Sequence, residues 1–115
     1  MKKITGECYE VRLEEENSSV IFKGALRLTG MEDYAPILEM LKATLTGRPE
    51  AVVLDLRELD FLNSSGITMF SRFVILARDR TDVNLQFLAS EAIPWQARSL
   101  KNLQRLMPSL QIAVT

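Results

Sequence analysis

Between residues 51 and 80 the spacing of apolar positions changes its period, and the chain is organised around that change. Residues 51–56, AVVLDL, form a short, nearly continuous apolar run with adjacent valines, the pattern of a strand buried on both faces in the middle of a sheet. Val52, Val53 and Leu54 are therefore expected in the core. A charged turn (Arg57, Glu58), an apolar pair (Phe61, Leu62) and the polar cluster Asn63, Ser64, Ser65, Gly66 follow. After the cluster the spacing becomes helical: over 65–80, Ile67, Phe70, Phe73, Val74 and Ala77 fall on one face, with Arg72, Arg78 and Asp79 largely elsewhere. The polar cluster thus opens a helix.

The flanking segments fit the same alternation. Residues 8–13 read as a half-exposed strand with Tyr9, Val11 and Leu13 inward, and Cys8 as a small buried or half-buried side chain. A polar turn separates it from a strand at 20–28, predicting an antiparallel hairpin, and Gly24 marks a bulge or a close backbone approach. Tyr34, Ile37, Leu38, Leu41 and Leu45 predict a helix over 31–46. Because proline suits only a first turn, Pro36 places the regular start of that helix near Ala35. Gly47 reads as its C-cap and Pro49 as its stop. Further on come a strand at 84–89, a helix at 94–106 with Leu100, Leu103 and Leu106 or Met107 inward, and a short strand at 110–114. Trp95 and Phe87 read as core or edge packing. The fold class is α/β, in the order β-β-α-β-α-β-α-β: a mixed, largely parallel sheet of about five strands, covered mainly by about three helices.

Composition narrows the function. The 115 residues, 47% apolar and 25% charged, suit a single domain over 1–115. A net charge of −1 with dispersed Lys and Arg lacks the footprint of a nucleic-acid binder. No apolar run is long enough to span a bilayer, and Met1-Lys2-Lys3 leads into polar residues, so a cytoplasmic location without membrane insertion is expected. One cysteine and no histidine leave no internal disulfide and no ordinary zinc ligand set, so neither metal nor cofactor is expected. The missing histidine also removes the commonest general base. An enzyme is not expected.

Asn63, Ser64, Ser65 and Gly66 end a buried strand and open a helix, where free amides stabilise an anion; Asn and Ser are also favoured helix caps with no further role. On these residues the chain resembles a known family. The run VVLDLRELDFLNSSGITMF is similar to the motif of STAS domains, named for sulphate transporters and anti-sigma factor antagonists, in which a buried strand passes through D-S-S-G or D-S-T-G into a helix. The resemblance extends over nearly the whole order of elements. It implies that Ser64 is the position phosphorylated by a serine kinase that is itself an anti-sigma factor or switch protein, with Ser65 and Gly66 matching the two positions after it. Asn63 departs from the usual aspartate, and Gly24-Ala25-Leu26-Arg27 departs from the family's G-E-L-D segment by reversing a charge, which implies a different partner.

Met69 and Leu76 widen the apolar arc of the second helix, so both are expected to be partly exposed at an interface, unless neighbouring helices cover them. The expectation is a non-catalytic signalling protein, of the kind that regulates transcription, binding a protein partner through Asn63, Ser64, Ser65, Gly66, Met69 and Leu76. Self-association is compatible with the sequence. The alternatives are an accessory subunit of a membrane transport assembly and, less favoured, a small ligand binder or enzyme using Ser64.

Overall fold

A computed structural model describes residues 2–47, 49–80 and 82–115. The strands are β1 (Lys2–Thr5), β2 (Tyr9–Glu14), β3 (Ser19–Leu26), β4 (Ala51–Leu62), β5 (Asn84–Ala89) and β6 (Gln111–Val114). The helices are α1 (Gly30–Thr46), α2 (Ser64–Arg78) and α3 (Pro94–Leu106). The six strands lie in chain order, β1-β2-β3-β4-β5-β6; the first two pairings are antiparallel and the other three parallel. The predicted α/β architecture is present with one strand more than expected. β1, KKIT, has only Ile4 as an apolar residue, too little for an alternation to register, and it is added antiparallel at the edge.

Register explains where the core lies. Leu13, Val20, Leu54, Phe87 and Ile112 are successive partners across β2 to β6, and all but the half-buried Ile112 are buried. The adjacent row, Arg12, Ile21, Asp55, Leu88 and Ala113, is half-buried throughout. The buried residues of all three helices join the first row in one cluster, with α2 packed between α1 and α3. The helices thus cover one face. This corrects the expectation for β4: Val52, Leu54 and Leu56 are buried, but Val53 and Asp55 are half-exposed and Ala51 is exposed, because their side chains point to the face without helices.

Arg57 and Glu58 form no turn. β4 continues to Leu62, and the register shows how: β3 advances from Ile21 to Lys23 while β4 advances from Asp55 to Glu58, and again from Gly24 to Ala25 against Leu59 to Phe61. Each step gives β4 one extra residue, so Leu56, Leu59 and Leu62 return to the core at intervals of three. Asp55 holds the first bulge, accepting from the Arg57 backbone N–H at 3.1 Å and from its guanidinium at 3.0 and 2.8 Å. Those guanidinium bonds keep the Asp55 carboxyl below the usual carboxylate range despite partial burial. Gly24 meets both of its expected roles. At φ +89° it lies beside a register shift, and a Cβ there would strike the Cys8 carbonyl. Cys8 itself is exposed, contrary to its reading as buried or half-buried: it precedes β2 and lies outside the alternating row.

α1 begins at Gly30 rather than near Ala35, with Pro36 inside it. Proline forfeits one intrahelical bond, but the first turns are anchored by the fully buried Tyr34, Ile37 and Leu41. Gly47 is the C-cap residue, but at φ −80° it does not use the left-handed conformation. At the far end of α2, Arg80 donates to the Leu45 carbonyl of α1 at 2.8 Å and Arg78 to the Leu106 carbonyl of α3 at 3.2 Å, supplying cations to both helix C-termini.

Candidate functional site at the start of the second helix

Asn63 is the centre of the loop between β4 and α2. Its side-chain carbonyl caps the helix by accepting from the Gly66 N–H at 3.0 Å, and the same oxygen accepts from the Tyr34 hydroxyl at 2.7 Å. Its amide nitrogen donates to the Leu28 carbonyl at 2.8 Å, and its backbone N–H donates to the Leu26 carbonyl at 3.2 Å. The end of β3 and the residues just after it, the first turns of α1 and the start of α2 therefore meet on one residue. Burial raises the Tyr34 phenol above its ordinary pKa and keeps it a donor. Aspartate, usual in the resembled family, could accept two of these bonds but could not donate to Leu28. The departure at position 63 thus has a local cause.

Gly66 is required by close packing. A Cβ there would run into the Leu62 side chain and come within 2.9 Å of the Tyr34 hydroxyl. Ser65 is half-buried. Ser64, the first residue of α2, is exposed; its carbonyl accepts from the Thr68 hydroxyl at 3.1 Å, while its own hydroxyl makes no side-chain hydrogen bond among the described residues. The first turn of α2 carries no acidic residue, so no carboxylate there offsets the positive end of the helix dipole.

The expectation for Met69 is corrected. It is fully buried, because α2 is packed between α1 and α3 and its buried arc runs from Gly66 and Met69 to Val74 and Ala77. Leu76, one step outside that arc, is 40% exposed, as expected. Of the six predicted positions, Ser64 and Leu76 are exposed, Asn63 and Ser65 half-buried, and Gly66 and Met69 buried.

Two further features adjoin the loop. Phe61 is 41% exposed near the end of β4, and the Arg27 guanidinium lies 4.7 Å from its ring centroid, a cation–π contact between β4 and the residue that follows β3. Arg27, read in the sequence only as a reversed charge, thus has an aromatic partner. On the other flank β5 ends at Ala89 while β4 runs on to Leu62, leaving strand carbonyls without a neighbouring strand. Side chains of α3 replace it. The buried Gln96 amide donates to the carbonyls of Leu56 at 2.6 Å and Leu59 at 3.1 Å, and the Trp95 indole donates to Leu59 at 3.2 Å. Gln96 also accepts from the Ser90 N–H at 2.8 Å. Sequence reasoning passed over Gln96; a glutamine one helical turn before the inward Leu100 and two residues after Pro94 is the available signal.

No known family profile and no curated protein sequence matches the chain. Solved structures do. The crystal structure of the diguanylate cyclase SiaD in complex with its activator SiaC from Pseudomonas aeruginosa contains a chain that superposes with a TM-score of 0.76 at 15% identity, over 99% of this chain and 98% of that one. SiaC of Pseudomonas aeruginosa gives 0.75 at 15% identity, over 100% and 98%. An anti-sigma factor antagonist from Mycobacterium paratuberculosis gives 0.61 at 18% identity, over 90% and 85%. The chain has the STAS-like fold that its strand, polar loop and helix suggested, in a divergent form shared with SiaC and with an anti-sigma factor antagonist.

Proposed function

We propose that this protein is a non-catalytic regulator that docks a protein partner with the Ser64 loop and the exposed edge of α2, and that phosphorylation of Ser64 by a serine kinase of the anti-sigma or switch type controls the docking. One observation carries the reading: an exposed serine begins a helix whose neighbouring residues are tied into the core, so added charge changes the surface while leaving the scaffold alone. Helix-terminal amides accommodate an anion, whereas a partner packed on the loop would have to desolvate it. The solved structures with this fold support the general class, since one is described as an activator in complex with its cyclase and another as an anti-sigma factor antagonist. No helix among the described residues is long and apolar enough to cross a membrane.

Protein carrying phosphoserine at position 64, prepared by encoded incorporation, is compared with wild type and Ser64→Ala in thermal unfolding and in capture of partners from the native cell. Unfolding free energies should agree to within about 0.5 kcal/mol, as for surface changes, while capture of the partner falls about tenfold or more on phosphorylation. Equal capture of the two forms would reject the switch. Leu76→Lys should likewise weaken capture at a stability cost of no more than about 0.5 kcal/mol. Capture by this variant at the wild-type level would remove α2 from the interface.

A further inference from the structure

The two edges of the sheet differ in chemistry. β1 presents the exposed Lys2 and Lys3, residues that discourage another chain from pairing with an edge strand. β6, at the opposite edge, has neither a charge nor a proline, and its Val114 is 55% exposed. Its ladder with β5 is parallel, an arrangement in which a residue directs both backbone polar groups to the same side and its neighbour directs both to the other. Thr115 turns both toward β5: its N–H donates to the Ala89 carbonyl at 3.1 Å and its carbonyl accepts from the Glu91 N–H at 3.0 Å. By alternation, the N–H and C=O of Val114, and those of Ile112, face the free edge.

The side chains of the same two residues lie on the helix-covered face, since Ile112 is the register partner of the buried Phe87. With Ala97 and Leu100 of α3 they line a cleft of about 310 Å³, which Lys101 also lines and which has Glu91 at its β5 end. The exposed surface of α3 is cationic: Arg98, Lys101 and Arg105 are exposed, and the helix contains no acidic residue. Hydrogen-bonding groups at the edge, an apolar cleft beside them and a cationic ridge above fit an extended segment that carries both apolar and acidic side chains on its helix-facing side, that is, at every second position. Two copies of this chain fit less well, because a two-fold axis pairing β6 with β6 would bring two cationic α3 helices together.

We infer that β6 is a second docking edge, separate from the Ser64 surface, which takes an extended acidic segment of a partner protein as a seventh strand, with an apolar side chain of that segment seated in the cleft between α3 and β6. The probe is a short, end-capped fluorescent peptide in which valine and glutamate take turns at every second position with threonine between them, compared with a counterpart carrying lysine in place of glutamate. The acidic peptide should bind the full chain with a Kd of about 1 mM or tighter and about tenfold better than the basic one. It should slow hydrogen exchange at the Ile112 and Val114 amides. Val114→Pro removes an outward N–H and no bond to β5, so it should keep the wild-type melting temperature and lose the peptide. Lys101→Glu, whose side chain is exposed, should reverse the preference between peptides and carries the test should the proline variant not fold. Ser64→Asp should leave peptide binding unchanged, which separates this edge from the partner site on α2. Absence of saturable binding, protection confined to other amides, or a wild-type dimer abolished by Val114→Pro would each overturn the assignment.

Discussion

Phe70→Ala is expected to lower the unfolding free energy by about 3–5 kcal/mol. Phe70 is fully buried on α2, and its ring meets Phe22 of β3 edge-on at 5.2 Å between centroids and 73°, and Phe87 of β5 at 5.9 Å and 69°. The residue thus seats α2 across the two strands flanking β4. Truncation leaves a cavity and removes two aromatic contacts, each worth about 0.5–1.5 kcal/mol beyond area burial. Phe70→Leu retains most of the volume and should cost clearly less. Urea denaturation should show a lower midpoint at an unchanged slope. A wild-type midpoint for Phe70→Ala would show that α2 is not seated through this ring, and the position of the Ser64 surface would need another explanation.

Asn63→Asp should also destabilise the fold, even though aspartate is the residue usual in the resembled family and a good helix cap. The carboxylate gains about 0.3–1 kcal/mol from the helix dipole. Against that, it cannot donate to Leu28, and leaving that carbonyl facing a carboxylate oxygen costs about 1–3 kcal/mol. The second effect is larger. Asn63→Ala loses the cap and the Tyr34 acceptor as well, and should cost about 2–4 kcal/mol. The expected order of melting temperatures is wild type, then Asn63→Asp, then Asn63→Ala. An Asn63→Asp protein as stable as wild type would mean that the bond to Leu28 contributes nothing, and the departure at this position would then point to the partner.

The parts of this fold that could be read in the sequence are those where local pattern and tertiary packing agree. The strand Asn84–Ala89 and the helix Pro94–Leu106 have the bounds their spacing predicts, because alternation in one, and proline with leucines at helical intervals in the other, match what the sheet and core impose. The spacing predicts an end to β4 at 56 because two bulges convert its alternation into an interval of three, which in a sequence looks like a strand giving way to a charged turn. Met69 departs from its expected exposure for a different reason: the width of an apolar arc says how much of a helix is buried, but not which neighbours bury it. At the site, Ser64 is exposed because it is the first residue of a capped helix, one residue before the start that the spacing predicts. The bonds from Tyr34 and to Leu28 span 29 and 35 residues and leave no trace in local spacing.

The substitution of Gln96 and Trp95 for a missing strand sets an order of assembly. Their bonds to Leu56 and Leu59 span 36 to 40 residues, longer loops than those closed by the β2–β3 hairpin, and closing a longer loop costs more chain entropy. Until α3 arrives, the carbonyls of Leu56 and Leu59 must remain bonded to water, and so that edge of the upper part of β4 stays wet even where its other edge is paired with β3. Drying of that edge of the strand and arrival of α3 are therefore a single event. In a folding time course monitored by pulsed hydrogen exchange, the α3 amides and the Trp95 indole N–H should gain protection together, after the hairpin.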